Sequence, residues 1–331
     1  MTFALVVGTT ETASIDGISA AGADPEAMRY TPAADAEIVT YGEPVFAPDV
    51  PVSPTGCPTP AVVTRAVREL LEFETVVVDA GVPGEVAAPT VSAGASPGGD
   101  VRAETPVPDA AEIFERARRL GRELPTDELV VGESIPGGTT TALGVLTALG
   151  ASHDVSSSLP ENPLSLKRRV VETGLAESGV APGDLSHRPL EALRLMGDPV
   201  LATVAGLATG ALDADASVTL AGGTQMLAAA GVVRHAGIAD PLSVATTSFV
   251  AEDDTADVRA AADDFAADLV VSDPGFERSD HVAMERFRAG EAKEGVGMGG
   301  ALALADRGDV SPRAIRDRIV ERYEALIEHE A

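Results

Sequence analysis

The chain of 331 residues contains two lysines, one cysteine and no tryptophan. Each scarcity closes off some chemistry. A single cysteine, Cys57, excludes an intramolecular disulfide, a CxxC redox pair and a thiolate metal cluster. It also has no basic partner nearby in the sequence to activate it as a nucleophile. The histidines, His153, His187, His235, His281 and His329, do not fall at metal-ligand spacings, so no structural metal is expected. Positive charge is short as well: 24 basic residues face 52 acidic ones, a formal net charge of −28. Such a surface repels nucleic-acid phosphates and anionic membranes, which removes both from the expected partners. No apolar run approaches the ~18 residues that span a bilayer. Met1-Thr2-Phe3-Ala4-Leu5 enters a strand-like run without a basic n-region, so no signal peptide and a cytoplasmic location are expected. Acid excess, scarce lysine and few aromatics together fit a proteome adapted to high salt. Where lysine is this rare, Lys167 and Lys293 are not filler.

Apolar residues make up 45% of the chain, enough for a sizeable core, and they come in regular blocks. Short β-rich runs predict strands at Phe3–Val7, Ile38–Tyr41, Val76–Val78, Leu129–Gly132, Ser217–Ala221, Leu242–Thr247 and Asp268–Ser272. Helices are predicted from Thr59-Pro60 to Phe73, over Asp109–Leu124, from Thr139, and over Pro163–Ser178, Pro199–Leu212 and Thr224–Ala236. Further helices fall at His281–Arg288, Gly299–Ala305 and Pro312–His329. The stretches Thr9–Thr31, Pro44–Pro60 and Gly81–Pro108, rich in Gly, Pro, Ser or Thr, read as loops. Short apolar strands alternating with helices predict an α/β protein with a doubly wound, mostly parallel sheet, Rossmann-like, and a smaller N- and C-terminal helical subdomain. In such sheets ligands bind beyond the carboxyl ends of the strands, so the loops there are where chemistry is sought.

The segment Gly132-Glu133-Ser134-Ile135-Pro136-Gly137-Gly138-Thr139-Thr140-Thr141 follows a strand and opens a helix. Paired glycines allow close approach to a ligand, and helix-start amides and hydroxyls suit an anion. The segment nearly matches a P-loop, but Gly138 stands where the lysine is required, which argues against an ATPase or GTPase. Its bland alternative is a tight turn with Thr as N-cap. Thr9, Thr10 and Glu11 follow the first strand and either line a cleft or cap a turn. Gly222, Gly223 and Thr224 occupy a second strand–helix turn of ligand-binding type. Asp273-Pro274-Gly275 follows a strand too, and His281 reads as a helix-start residue.

These motifs resemble, in order, those of the nicotinate-nucleotide:dimethylbenzimidazole phosphoribosyltransferase (CobT) family. Gly132-Glu133, Gly137 and Thr139-Thr140 are similar to its G-E-M-G-I-G-N-T-T. Leu164-Ser165-Leu166-Lys167-Arg168-Arg169 resembles its L-A-R-K helix, and Asp198-Pro199 another block. Ser217 to Ala229 resembles V-L-L-D-G-F, and Lys293 to Ala303 resembles R-L-G-E-G-T-G-A-A-L-A. The resemblance covers roughly Leu129 to Leu304. The N-terminal 125 residues, with ETASIDGISAAG, YTPAADAE and GCPTPAVVTRA, look like the archaeal branch of that family. The implied organisation is one CobT-type unit over 1–331. It comprises a lineage-specific part over 1–125, a core transferase region over 126–310 and a C-terminal helix over 311–331.

The resemblance implies transfer of phosphoribose from nicotinate mononucleotide to a benzimidazole-type base, with release of nicotinate. It also implies no cofactor, no metal and a homodimer. The leaving pyridinium is already cationic, whereas the incoming base must lose an N–H proton, so a carboxylate base is needed. Glu133 and Glu294 are the candidate catalytic residues. The family's base is the Glu of R-L-G-E-G, and aligning the glycines puts Val296 there; Glu294 lies two residues earlier and Glu291 five. Lys167 is the expected phosphate cation, with Gly132, Gly137, Gly138, Thr139, Thr140, Gly222, Gly223, Thr224, Gly297 and Gly299 as substrate-binding positions. If Val296 does replace the base, the alternative is a non-catalytic nucleotide- or cobamide-precursor-binding protein.

Overall fold

The computed structural model describes residues 1–19, 27–48, 50–53 and 55–330. Among these, seven strands form one sheet: β1 (Thr2–Val7), β2 (Thr75–Asp79), β3 (Thr90–Ser92), β4 (Glu128–Ser134), β5 (Ser217–Ala221), β6 (Ser243–Thr247) and β7 (Asp268–Ser272). Every pairing is parallel, in the order β3-β2-β1-β4-β5-β6-β7. The chain therefore winds outward in one direction to β3, returns to the centre, and winds the other way to β7. This reversal between β1 and β4 opens a crevice at their carboxyl ends. Register places Val6 beside Glu133 and Val7 beside Ser134, so Glu133 reaches the crevice rim on the innermost strand pair.

The helices in chain order are α1 (Thr31–Tyr41), α2 (Ala61–Leu71), α3 (Ala110–Glu123), α4 (Gly138–Leu149), α5 (Leu164–Glu177), α6 (Pro189–Met196) and α7 (Pro199–Leu212). They continue as α8 (Thr224–His235), α9 (Ser248–Ala251), α10 (Val258–Asp264), α11 (Val282–Arg288), α12 (Met298–Arg307) and α13 (Pro312–Glu330). Side chains alternate across a strand, and β1 shows the consequence. Phe3, Leu5 and Val7 enter one apolar cluster with α1, α2, α11, α12 and α13. Ala4 and Val6 enter another with helices α3 to α8 and α10. The sheet is thus covered on both faces, as its continuously apolar strands require.

Two expectations are corrected. Ile38–Tyr41 is the last part of α1 rather than a strand. Its β-branched residues suit a strand, but Pro32 sets the first turn. Gly42, at φ 96°, caps the end with its N–H on the Ile38 carbonyl. Arg65 and Arg68, on α2, donate to the Val39 and Thr40 carbonyls that the helix end leaves open. Within Gly81–Pro108, read as loop, Thr90–Ser92 pairs with β2 as the exposed edge strand β3. The Thr9–Thr31 loop holds short 3-10 turns at Glu11–Ser14 and Ala27–Arg29, and its residues 20–26 lie outside the described ones. Position 54, in the Pro44–Pro60 connection, also lies outside them. None of the described helices is long and apolar enough to cross a membrane.

Candidate active site

A cleft of about 960 Å³, counted out to its open mouth, lies beyond the carboxyl ends of the central strands. Four segments build it: the turn from β4 into α4, the start of α8, the loop 156–158, and the stretch 291–296. Asp35 of α1 and Thr59 close one side. The Gly-rich segment enters at Glu133 and turns at Gly137, whose φ of 80° makes it the N-cap of α4; no Thr side chain caps this helix.

Glycine is needed where the two Glu-bearing segments meet. A methyl at Gly132 would lie 2.7 Å from the Gly297 Cα, and one at Gly297 2.6 Å from the Phe3 ring. The close approach lets the Val296 amide donate to the Glu133 carbonyl at 2.8 Å, while Thr64 Oγ1 donates to the Val296 carbonyl at 2.9 Å. Val296 itself has φ 54° and a side chain packed in the apolar cluster with Phe3 and Met298. Glu294, two residues before it, is half-buried and lines the cleft.

Glu294 is held by backbone donors. Its Oε1 accepts from the Gly299 amide at 2.9 Å and the Gly295 amide at 3.2 Å; its Oε2 accepts from the Thr247 amide at 3.1 Å. These bonds favour the charged form, yet desolvation prevails and pushes its pKa up to about 7. Glu133 is 4% exposed. Burial first, then the nearby charges of Asp198, Glu294 and Asp35, push its pKa up to about 8. Asp35 accepts from Thr59 Oγ1 at 2.5 Å and Ser134 Oγ at 2.6 Å, and burial still raises it to about 6. Asp198 N-caps α7, bonded to the Leu201 amide at 2.7 Å and to Thr141 Oγ1 at 2.5 Å; burial raises it too. Glu133 thus has Asp198, Glu294 and Asp35 as acidic neighbours, and burial raises all four carboxyls.

One of the chain's two lysines lies at the cleft and the other behind it. Lys167, the expected phosphate ligand, is fully buried behind the cleft, and its Nζ donates to the Ser156 carbonyl at 2.6 Å. Burial, then Lys293, lower its pKa to about 7 against the opposing pull of Asp253. Lys293 reaches the cleft instead. Its Nζ pairs with Asp253 Oδ2 at 2.7 Å, and the same oxygen accepts from Ser156 Oγ at 2.9 Å. Desolvation would raise Asp253, but the bonds from Lys293, Thr255 and Ser156 outweigh it and hold the group at about 2. Both lysines of the chain thus converge on Ser156, whose amide is bonded to Thr224 Oγ1 at 3.3 Å. Lys167 therefore braces the 156–158 loop, and Lys293 is the cation at the cleft surface.

Of the expected positions, Glu133, Gly137, Gly138, Thr139, Gly223, Thr224 and Glu294 line the cleft together. Gly132, Thr140, Lys167, Gly222, Gly297 and Gly299 stand behind it. Thr140 is fully buried and its hydroxyl has no partner. Gly222 packs on Met226, and Gly299 gives its amide to Glu294. Thr9 and Thr10 secure turns, bonding the Gly81 and Gly99 carbonyls. His281 N-caps α11. Cys57 lines the cleft, but burial pushes its thiol pKa up, against nucleophilic use. Asp35, Gln225 and the 156–158 serines join the cleft without a sequence signal of their own, and Asp253 supports it through Lys293 and Ser156. Asp35 lies within YTPAADAE, which stands out in the sequence only as a family block.

The chain is 59% identical to a UPF0284 protein of Halobacterium salinarum over 325 residues, 98% of each chain. UPF0284 proteins of Pyrococcus furiosus and Methanothermobacter thermautotrophicus are each 44% identical, over 98% of this chain and 98% and 93% of theirs. The chain belongs to the UPF0284 family. No family model matches it. Two solved structures from Thermus thermophilus share the fold of this UPF0284 protein. A nicotinate-nucleotide–dimethylbenzimidazole phosphoribosyltransferase superposes with a TM-score of 0.61 over 95% of this chain and 82% of its own. A structure of CobT superposes with a TM-score of 0.63, over 95% and 83%. Each is 19% identical in sequence, so the likeness is one of fold.

Glu294 and Val296 both line the cleft, and the Val296 side chain is otherwise packed in the apolar cluster. Glu294-Gly295-Val296-Gly297 also pairs with the E-G-T-G of the resembled motif without a gap.

Proposed function

We propose that this UPF0284 protein is a phosphoribosyltransferase that moves phosphoribose from nicotinate mononucleotide to a benzimidazole-type base. The observation that carries this reading is the cleft's polarity. Two helix N-termini, α4 and α8, and Lys293 offer a cradle for an anion beside the carboxyls of Glu294 and Glu133. In a protein of net charge −28 a site for an anionic nucleotide has to supply its own positive potential, and this cleft has the means.

The incoming nitrogen forms a bond to the anomeric carbon as the bond to the nicotinate nitrogen breaks. That electron pair neutralises the pyridinium, so departure needs no acid. The N–H proton of the incoming base passes to Glu294. Glu294 is the better base of the two because it is accessible, is fixed by three amides and has a pKa near the working pH. Glu133, mostly protonated at pH 7, keeps a second negative charge away from it. Lys293 and the 156–158 loop hold the phosphate. A homodimer is part of the proposal, to be checked by light scattering.

The test is incubation of the protein in multimolar KCl with nicotinate mononucleotide and 5,6-dimethylbenzimidazole, following nicotinate and α-ribazole phosphate by chromatography. Both products should form only when the base is present. Glu294→Gln should slow turnover by about 10²-fold or more and abolish the rise in rate as pH passes about 7. A folded protein that releases no nicotinate with any benzimidazole overturns the reading.

A further inference from the structure

Gln225 stands in the first turn of α8, half-buried, with its side chain in the cleft. Its carboxamide has no hydrogen-bond partner among the described residues, whereas the nearby cleft groups Thr224, Ser156, Lys293 and Glu294 are all engaged. The amide lies across the start of α4: a Cβ at Gly138 would fall 2.5 Å from Gln225 Nε2. The carboxamide thus fills the volume that a side chain at 138 would take. In the same turn of α4 the Thr140 hydroxyl is buried without a partner. The Gln225 amide stays open to the cleft, so a ligand there can take the hydrogen bonds that water otherwise makes.

We infer that Gln225 is a specificity residue for the phosphate ester of the nucleotide, donating from Nε2 to a phosphate oxygen seated between the first turns of α4 and α8. The role rests on the phosphoribosyl-transfer reading. A neutral donor suits this place. The P-loop lysine is missing at Gly138, and the cleft lysine, Lys293, is already paired with Asp253, which leaves room for a neutral donor to the phosphate. Gly138 has ordinary helical backbone, but a Cβ there would also fall 2.7 Å from Ile135 Cγ2, so the position stays closed to a side chain even when Gln225 is shortened.

Calorimetry with nicotinate mononucleotide and with nicotinate riboside, which lacks the phosphate, tests this on the full chain in multimolar KCl. Gln225→Ala should weaken the mononucleotide by about 10-fold or more and leave the riboside within about 2-fold. Gln225→Glu keeps the shape and should weaken the mononucleotide further, by like charge. Gln225→Asn keeps a carboxamide on a shorter stem and should recover part of the mononucleotide affinity that Gln225→Ala loses, with the riboside unchanged. A purely structural role predicts no such rescue. Equal losses for both ligands, or none for the mononucleotide, overturn the assignment of Gln225 while leaving the transferase reading intact. A wild-type protein that binds neither ligand overturns both.

Discussion

Glu133 has Asp198, Glu294 and Asp35 as its acidic neighbours, and its pKa of about 8 has a consequence for stability as well as for chemistry. An unfolded glutamate titrates near 4.5. Between those values the folded chain holds a proton that the unfolded chain has lost. Stability from this group is therefore complete below about 4.5 and is lost as pH rises through about 8. Glu294 and Asp35 act in the same direction, over windows ending near 7 and 6. Glu133→Gln, which cannot ionise, should melt close to wild type at pH 5. At pH 8.5 it should be more stable by a few kcal/mol, since each tenfold change in acidity is worth about 1.4 kcal/mol and relaxation of the folded chain reduces the total. Denaturation across pH 5–9 at constant KCl checks it; a gap between variant and wild type that does not change with pH would refute it. The price of the carboxyl cluster is thus set by pH, which fits a group kept for proton chemistry.

Helix α1 shows why some elements are legible in the sequence and others are not. The limits of Ser217–Ala221, Asp268–Ser272 and Pro199–Leu212 agree with the structure because their apolar runs end at local turn or cap signals. Ile38–Tyr41 misleads because the partners that close the helix end, Arg65 and Arg68 on α2, are distant in sequence. Glu37, fully buried, takes the amides of Val45, Phe46 and Ala47 on one oxygen and that of Ala87 on the other. Glu37→Ala should cost about 2–4 kcal/mol in chemical denaturation, because it leaves several donors unpaired at once. An effect below about 0.5 kcal/mol would mean that water replaces the carboxylate freely. The site divides in the same way. Glu133 and Glu294 stand in glycine-rich segments that advertise a turn at a strand end. Asp35 reaches Ser134 across 99 positions, and Gln225 meets Gly138 only through the packing of α8 beside α4. No local pattern carries such contacts. The rarity of lysine singles out both lysines, and only the fold separates Lys167, which braces the 156–158 loop, from Lys293, which lines the cleft.

With 52 acidic and 24 basic residues the folded chain works against its own charge. Surface pairs such as Arg118–Asp213 at 2.7 Å and Arg102–Asp100 at 2.5 Å recover some of this, but exposed pairs are worth ~0–1 kcal/mol each and salt weakens them. The unpaired acids outnumber them, so the net effect of screening is stabilising. The Debye length falls from about 10 Å at 0.1 M salt to about 3 Å at 1 M, less than most separations between surface carboxylates. The melting temperature should therefore rise steeply between 0.1 and 1 M KCl, by about 10 °C or more. A slower rise should follow, where salt acts through apolar burial rather than screening. Lowering the pH toward the pI of about 4.4 neutralises the same carboxylates, so at pH 5 the first phase should shrink while the second persists. A melting temperature flat from 0.1 to 3 M KCl would show that the acid excess carries no cost to the fold. The proposed cradle at α4, α8 and Lys293 would then be where the charge imbalance matters, in admitting an anion to a protein that otherwise repels it.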